Sequence, residues 1–508
     1  MSLSTSTRRD FVKAVGLGAA GLALQDGISL SQEFGSRNHR RPNLLFLFAD
    51  QLGYTRCGYA GDKKARTPNI DKLASQGVNF CNAVSNTPVC AAYRASLMTG
   101  KYTTTTGMVI NELRMRTDHK CFGHVLTGSS YQTAYIGKWH LYANQLGNHY
   151  DPKNSFVPPG PNRLGFDGYW AAYNFHHNYY NAYYHTDTPD KIFYGKDVYE
   201  PDAQTDMMID VIRKASKSNR PFAAFLSYGT PHDPWSANNV PKQYAGMFKD
   251  IEFPNPPNYK DKNDKYADGW GRLNSGQRKE LESWRRYYYA MTVNLDFNIG
   301  RLMDELERRG LARNTIVVFT SDHGEMFGAQ GRRAKNIFYE EAARIPFLIR
   351  WPKKIPSGIV SDACLSTVDI MPTILSLMGL NVPKDAEGMN LSHCALGGKG
   401  PEPEAAFLQN TGACAAWENG HEWRALRDKR YTYAIYRVDK AELLFDNRND
   451  PDQMQNLARD PKLKDTLEHF RRMLKGKMES LNDSFQACTW YRDKWTDGNR
   501  IILRGARG

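Results

Sequence analysis

The chain has 508 residues, of which 41% are hydrophobic and 24% charged; this excludes a disordered or fibrous polypeptide and leaves room for one large α/β domain with an appendage, or for two to three average domains. The formal net charge is +13, but Lys and Arg are scattered without a block of the length of a nucleic-acid arm, so the charge permits an anionic ligand and does not point to nucleic acid. Eight cysteines are spread without a C-x-x-C pair, which excludes a zinc ribbon and a dense disulfide scaffold.

The first recognisable element lies outside any fold. Arg8-Arg9 precedes the apolar, small-residue run Ala14 to Leu24, the pattern of a twin-arginine export signal. That run is shorter than the roughly 20 residues needed to span a bilayer. Gly16, Gly18 and Gly21 also weaken it as an amphipathic first helix of the fold. Residues 1–32 are therefore read as signal and linker, with the twin-arginine translocase as partner and a periplasmic or secreted destination. Such a translocase carries folded proteins, so a modification or metal can be installed before export. No other run is long and apolar enough for a membrane span.

Pro42 to Ala49 is a continuous apolar run ending on Asp50, the pattern of a strand buried on both faces of a parallel sheet. Cys90 follows among small residues; taken alone, such a cysteine is ordinarily a small core hydrophobe. From Phe166 to His185 the chain is crowded with Tyr, Asn and His. That suits either aromatic packing beneath a long loop or a sugar-facing wall, in which His176 or His177 meets hydroxyls or anions. Pro221 to Tyr228, Asn314 to Thr320 and Ile345 to Ile349 repeat the buried-strand pattern, and the second of these leads into Ser321-Asp322-His323. Tyr289 to Arg309 carries apolar residues at spacings of three and four, which predicts an amphipathic helix. Strands alternating with helices predict an α/β fold, a doubly wound and mostly parallel sheet flanked by helices. Ligands in such folds collect beyond the carboxyl ends of the strands, where Asp50 and Asp322 stand. The break Gly397-Gly398-Lys399-Gly400-Pro401 separates a main domain over 42–396 from a smaller C-terminal α+β subdomain over 402–508. Strands are expected there at Trp423 to Leu426, Tyr431 to Tyr436 and Glu442 to Phe445, with a closing helix from Pro461 to Leu481.

The segment Cys90-Ala91-Ala92-Tyr93-Arg94-Ala95-Ser96-Leu97-Met98-Thr99-Gly100 resembles the signature C-x-P-S-R-x-x-L-x-T-G of the formylglycine-dependent (type I) sulfatases, of the alkaline-phosphatase-like superfamily. Ala92 stands where proline is usual, and Tyr93 where serine is usual. The remaining motifs of that family follow in order. Asp50 resembles the acid that opens its metal site, with Gln51 in place of the usual second acid, and Asp322-His323 resembles the later metal-site pair. Gly137-Lys138-Trp139-His140, Pro231-His232-Asp233-Pro234 and Lys335 before Tyr339-Glu340 resemble the segments that bring lysines and histidines to the site. The likeness runs from about Pro42 to Pro461.

The resemblance implies hydrolysis of a sulfate monoester on a sulfated saccharide. Cys90 would be converted to formylglycine by a generating enzyme, a further partner. Asp50, Gln51, Cys90, Asp322 and His323 would hold one divalent cation, calcium in so oxygen-rich a set, although the imidazole also suits manganese or magnesium. Arg94, Lys138, Lys335 and the cation would offset the charge on sulfate. One hydroxyl of the hydrated aldehyde would attack sulfur, and the other would lose a proton to expel sulfate. His140 would take that proton, while His232 with Lys335 would protonate the departing alcohol. Two alternatives stay open: a phosphonate monoester or phosphodiester hydrolase of the same superfamily, and a non-catalytic sulfated-glycan binding protein with an unmodified Cys90.

Overall fold

The computed structural model describes residues 41–143, 152–495 and 502–503; the export signal expected over 1–32 lies outside them. Strands β1 (Asn43–Ala49), β2 (Val78–Phe80), β3 (Gln132–Lys138), β4 (Tyr169–Tyr173), β5 (Phe222–Ser227), β6 (Thr315–Ser321), β7 (Phe347–Arg350) and β8 (Ile359–Ser361) form one sheet in the order β8-β2-β7-β6-β1-β5-β3-β4. β6, β1, β5, β3 and β4 run parallel, and β7 runs antiparallel to β6 and β2. The reversal has a local cause. A parallel return needs a helical crossover, whereas the chain between β6 and β7 stays at one end of the sheet and carries Asp322, His323 and Lys335.

The unbroken apolar run of β1 follows from burial on both faces. Leu44, Phe46 and Phe48 enter one core with Phe225, Val318 and helix α1 (Cys90–Thr99). Leu45, Leu47 and Ala49 enter the other with Leu226, Phe319 and helices α2 (Glu200–Ala215) and α3 (Ser275–Arg308). Each fully buried Leu or Phe contributes about 1.5–3 kcal/mol, so a polar residue anywhere along β1 would lose its share on one face or the other.

Helix α3 begins at Ser275, well before the expected Tyr289, because Asn274 and Gln277 cap it reciprocally. Its first half is charged and buries few residues, Leu281 and Arg285 among them, so apolar spacing has little to register there. Beyond the Gly397–Pro401 break, β9 (Ala406–Asn410), β10 (Trp423–Arg427), β11 (Tyr431–Tyr436) and β12 (Glu442–Asp446) make an antiparallel sheet in chain order. Three of these strands lie where expected; β9, directly after the break, does not announce itself. Helix α4 (Lys464–Ser480) covers one face of this sheet through Leu467, Phe470 and Leu474. The other face packs on Ile337, Phe338 and Tyr339, just after Lys335.

Candidate active site

Adjacent strands of the large sheet deliver the site from their carboxyl ends: β1 at Asp50-Gln51, β6 at Asp322-His323 and β3 at Lys138–His140, while β5 leads to His232. Gly137 lets β3 close on β5, since a Cβ there would meet the Ser227 carbonyl oxygen at 2.0 Å and its φ is +97°. Gln51 (φ 71°) and His140 (φ 56°) hold left-handed backbone that residues with side chains avoid, and both stand at strand ends within the site. Cys90 opens α1, whose N-terminal dipole favours an anion nearby.

The ligand atoms of Asp50, Cys90, Asp322 and His323 all lie within 4.8 Å of one another, and all four residues are buried. The His323 Nδ1–H donates to the Gly324 carbonyl (3.0 Å), which leaves the Nε2 lone pair facing Cys90 Sγ at 3.1 Å and Asp322 Oδ1 at 3.5 Å. The Gln51 amide oxygen stands beside this group, where it accepts from Lys335 Nζ at 2.7 Å. Two carboxylates, an imidazole lone pair and an amide oxygen fit a divalent cation of the calcium type.

Burial opposes charge on Asp50, but Lys138 and Arg94 outweigh it and hold the carboxyl well below the usual range. Asp322 moves upward, through burial and the adjacent Asp50. Burial and Asp50 also push the Cys90 thiol up to about 11, so near neutral pH it stays protonated.

Arg94 bridges both acids, with Nη2 at 3.3 Å from Asp50 Oδ2 and from Asp322 Oδ2, while Nη1 donates to Ser227 Oγ and the Lys138 carbonyl. Lys138 Nζ reaches Asp50 Oδ2 at 2.5 Å and His177 Nε2 at 3.5 Å. Lys335 Nζ donates to His232 Nε2 at 2.7 Å. The rings of His177 and His232 stack at 3.8 Å with 2° between planes. Their tautomers follow from their other nitrogens. His232 Nδ1–H donates to the Asp233 carbonyl (2.9 Å). The Tyr179 hydroxyl spends its proton on the Gly229 and His232 carbonyls and so accepts from His177 Nδ1–H (3.3 Å). Both Nε2 lone pairs therefore face a lysine ammonium, and burial lowers both imidazoles well below their usual range.

Asp50, Gln51, Cys90, Arg94, Lys138, His232, Asp322, His323 and Lys335 thus meet at one place. His140 reaches its edge: its ring is 4.5 Å from Phe175, which lies 4.8 Å from Lys138 Nζ and 4.6 Å from the His177 ring. His177 joins the site and His176 does not. The His176 ring stacks on Tyr173 at 3.6 Å, donates to the Tyr183 carbonyl and approaches Glu200, and burial lowers it to about 3. Motif reading also passes over Glu325, 3% exposed, whose Oε2 accepts from Gln51 Nε2 at 2.6 Å. The signal available for it was a carboxylate two residues beyond His323 at a strand end.

Residues 42–380 match the profile of the Sulfatase family, and residues 328–481 match that of the N-sulphoglucosamine sulphohydrolase C-terminal region. The chain is 36% identical over 462 residues to the Ulvan-active sulfatase of Formosa agariphila, a match covering 90% of this chain and 84% of that one. A solved structure from Bacteroides fragilis, assigned to the sulfatases under the name yidJ, matches with a TM-score of 0.77 at 31% identity, covering 89% of this chain and 98% of that one. The fold is shared with the phosphonate monoester hydrolase of Agrobacterium radiobacter, with a TM-score of 0.67, 23% identity and coverage of 88% and 96%. With a family profile spanning the whole of the main sheet and a relative aligned over nearly the whole chain, the protein belongs to the sulfatase family of the alkaline-phosphatase-like superfamily and is an enzyme that hydrolyses sulfate esters.

Proposed function

We propose that the sulfate ester is carried on a saccharide, that the nucleophile is formylglycine made from Cys90, and that one calcium ion is held by Asp50, Gln51, Asp322, His323 and the modified residue. The observation that carries this reading is the buried convergence of Asp50, Cys90, Asp322 and His323 within 4.8 Å, ringed by Arg94, Lys138 and Lys335. A thiol pushed up to about 11 offers almost no thiolate near neutral pH, so the unmodified cysteine is a weak nucleophile. When present, the hydrated aldehyde supplies an attacking hydroxyl and a second hydroxyl whose ionisation expels sulfate, and the cation offsets negative charge.

The chain's own residues divide the remaining work. Arg94 holds Asp50 and Asp322 in register, and Lys138 presents positive charge to sulfate oxygens. The Lys335–His232 contact carries a proton towards the departing alcohol oxygen. His140 takes the proton released as sulfate leaves, and His177 contacts substrate from the wall beside Lys138. The relative named for activity on ulvan supports a saccharide, and the net charge of +13 permits a polyanionic one. A formylglycine-generating enzyme, the twin-arginine translocase and a periplasmic or secreted location complete the proposal. No helix among the described residues is long and apolar enough to cross a membrane.

Peptide mass mapping tests the nucleophile: the peptide containing Cys90 is expected to be lighter by about 18 Da, the difference between a CH₂SH group and an aldehyde. Full activity with an intact thiol would overturn it, and an inactive, unmodified protein that binds sulfated glycans would point to a binding role. The fold shared with a phosphonate monoester hydrolase keeps a second reading in view. Diesters and phosphonate monoesters carry one negative charge, as sulfate monoesters do, but bear a substituent where sulfate has a bare oxygen. Lys138, Lys335 and His232 are expected to crowd that position, so kcat/KM for a sulfated saccharide should exceed that for a matched phosphodiester by at least about 100-fold, roughly 2.7 kcal/mol. Equal or inverted values would transfer the assignment.

A further inference from the structure

A surface turn, Asp268 to Gly271, is stitched to both chain segments that lead into the site. Gly271 N–H donates to the Asp268 carbonyl (3.1 Å) and to its Oδ1 (2.7 Å). The other oxygen of this buried carboxylate takes Cys414 N–H at 2.6 Å and Asn336 Nδ2 at 3.4 Å. Asn336 N–H in turn donates to the Pro88 carbonyl at 2.9 Å, two residues before Cys90, and Cys414 packs on Val89 and Ala92. Arg333 N–H closes the turn from the other side on the Gly271 carbonyl (2.9 Å), two residues before Lys335. Two residues of chain reach about 7 Å at most, so the turn flanks both Lys335 and the start of α1.

Two side chains at this turn have no hydrogen-bond or ion-pair partner among the described residues. Trp270, between two glycines, is 55% exposed. One exposed aromatic means little by itself; Arg333 beside it changes the reading. Arg332 pairs with Asp264 at 2.9 Å, whereas the half-buried Arg333 guanidinium has no hydrogen-bond or ion-pair partner among the described residues. It lies over the Trp284 ring at 5.5 Å. Glu325 attracts it, but the Glu325 oxygens are already taken by Gln51, Phe327 and Ala334. A planar guanidinium with unused donors matches a carboxylate or a sulfate.

We propose that Trp270 and Arg333 form a second binding subsite just outside Lys335, for the sugar next to the sulfated one. The indole stacks on the pyranose face, and Arg333 takes an anionic substituent of that neighbour, either carboxylate or a second sulfate. The subsite rests on the saccharide reading above and selects a polyanionic chain over an isolated sulfate ester.

The test uses the mature enzyme and four substrates: 4-methylumbelliferyl sulfate, which has no neighbouring sugar, and three disaccharides that carry the same sulfate on the target residue and whose neighbouring residue is neutral, a uronate or itself sulfated. The readout is kcat/KM on each disaccharide divided by that on the aryl sulfate. Arg333→Ala is expected to lower this ratio about tenfold for the anionic neighbours, mainly through KM, and to leave the neutral one unmoved. The arm that falls further identifies carboxylate or sulfate. Trp270→Ala is expected to lower all three, with Trp270→Phe and Arg333→Lys recovering part of the loss and guarding against misfolding. Unmoved ratios in enzyme that hydrolyses the disaccharides, or an Arg333→Ala loss equal on all three, would remove the subsite alone. Wild-type turnover of the aryl sulfate and of none of the disaccharides would remove the subsite together with the saccharide reading.

Discussion

At Gln51 the orientation of one amide decides whether the site offers a cation an oxygen or an N–H. Its Nε2 donates to Glu325 Oε2 at 2.6 Å and its oxygen faces Lys335 Nζ at 2.7 Å, so the oxygen is turned inward. The other Glu325 oxygen accepts from Phe327 N–H and Ala334 N–H, which prevents the carboxylate from turning. In Glu325→Gln those two backbone donors would claim the new amide oxygen, leaving NH₂ against NH₂ at Gln51. The variant is expected to bind the proposed divalent cation about 10–100-fold more weakly by calorimetry. Asp322→Ala, or chelation of the wild type, is expected to abolish turnover. Asp50, Cys90, Asp322 and His323 were legible in the sequence because each lies in a motif or at a strand end. Phe175 and Tyr179 act through another residue and leave no spacing signature, and Glu325, which acts through Gln51, leaves only its place two residues beyond His323. The adjacent pair His176-His177 was legible only as a pair: one ring faces Lys138 and its neighbour turns to Tyr173, a choice that the backbone makes and composition does not.

Helix α2 opens on Glu200, a residue suited to a helix N-terminus. Here it is wholly buried, accepts from the Tyr173 hydroxyl at 2.8 Å and lies 3.5 Å from His176 Nε2. Burial pushes its carboxyl up to about 8 from an ordinary 4.5. Between those values the folded chain binds a proton that the unfolded chain has released. The stabilisation is therefore complete below 4.5 and is lost as pH rises through about 8. Glu200→Gln keeps the shape and removes the titration. Thermal melts are expected to show a flatter pH dependence for the variant across this window, with its advantage over wild type growing towards pH 8. A wild type that gains stability relative to the variant as pH rises would contradict the argument. The strands of the large sheet were readable because burial on both faces leaves an unbroken apolar run. The first half of α3, held by a cap and charged residues, and the direction of β7, set by the loop before it, carry no such pattern.

The two sheets are joined by more than apolar contact. Arg427 on β10 donates to both oxygens of Glu340 at 2.8 and 3.0 Å, and both side chains are buried. Removing Arg427 leaves the buried Glu340 carboxylate to Arg344 alone, at 3.4 Å, so Arg427→Ala is expected to cost about 3 kcal/mol in urea unfolding. Arg427→Met with Glu340→Leu is expected to recover most of that loss. Because the contact follows the Lys335 segment directly, the C-terminal sheet and the site are expected to unfold in a single transition. Burial at the centre of this assembly has a further effect, on timing. Cys90 is 1% exposed, roofed by residues that directly follow β1 and the far later β6. A side chain without surface cannot be another enzyme's substrate, so on the proposed chemistry the finished molecule is closed to its own maturation. The thiol is on offer only while Asp322 and His323 are still being synthesised or have yet to dock, and it is withdrawn when they arrive. On the proposed chemistry and destination, the packing sets the order of events: oxidation, closure, export. A chain that closes first would, on that proposal, remain an unconvertible thiol, correctly folded and without a nucleophile.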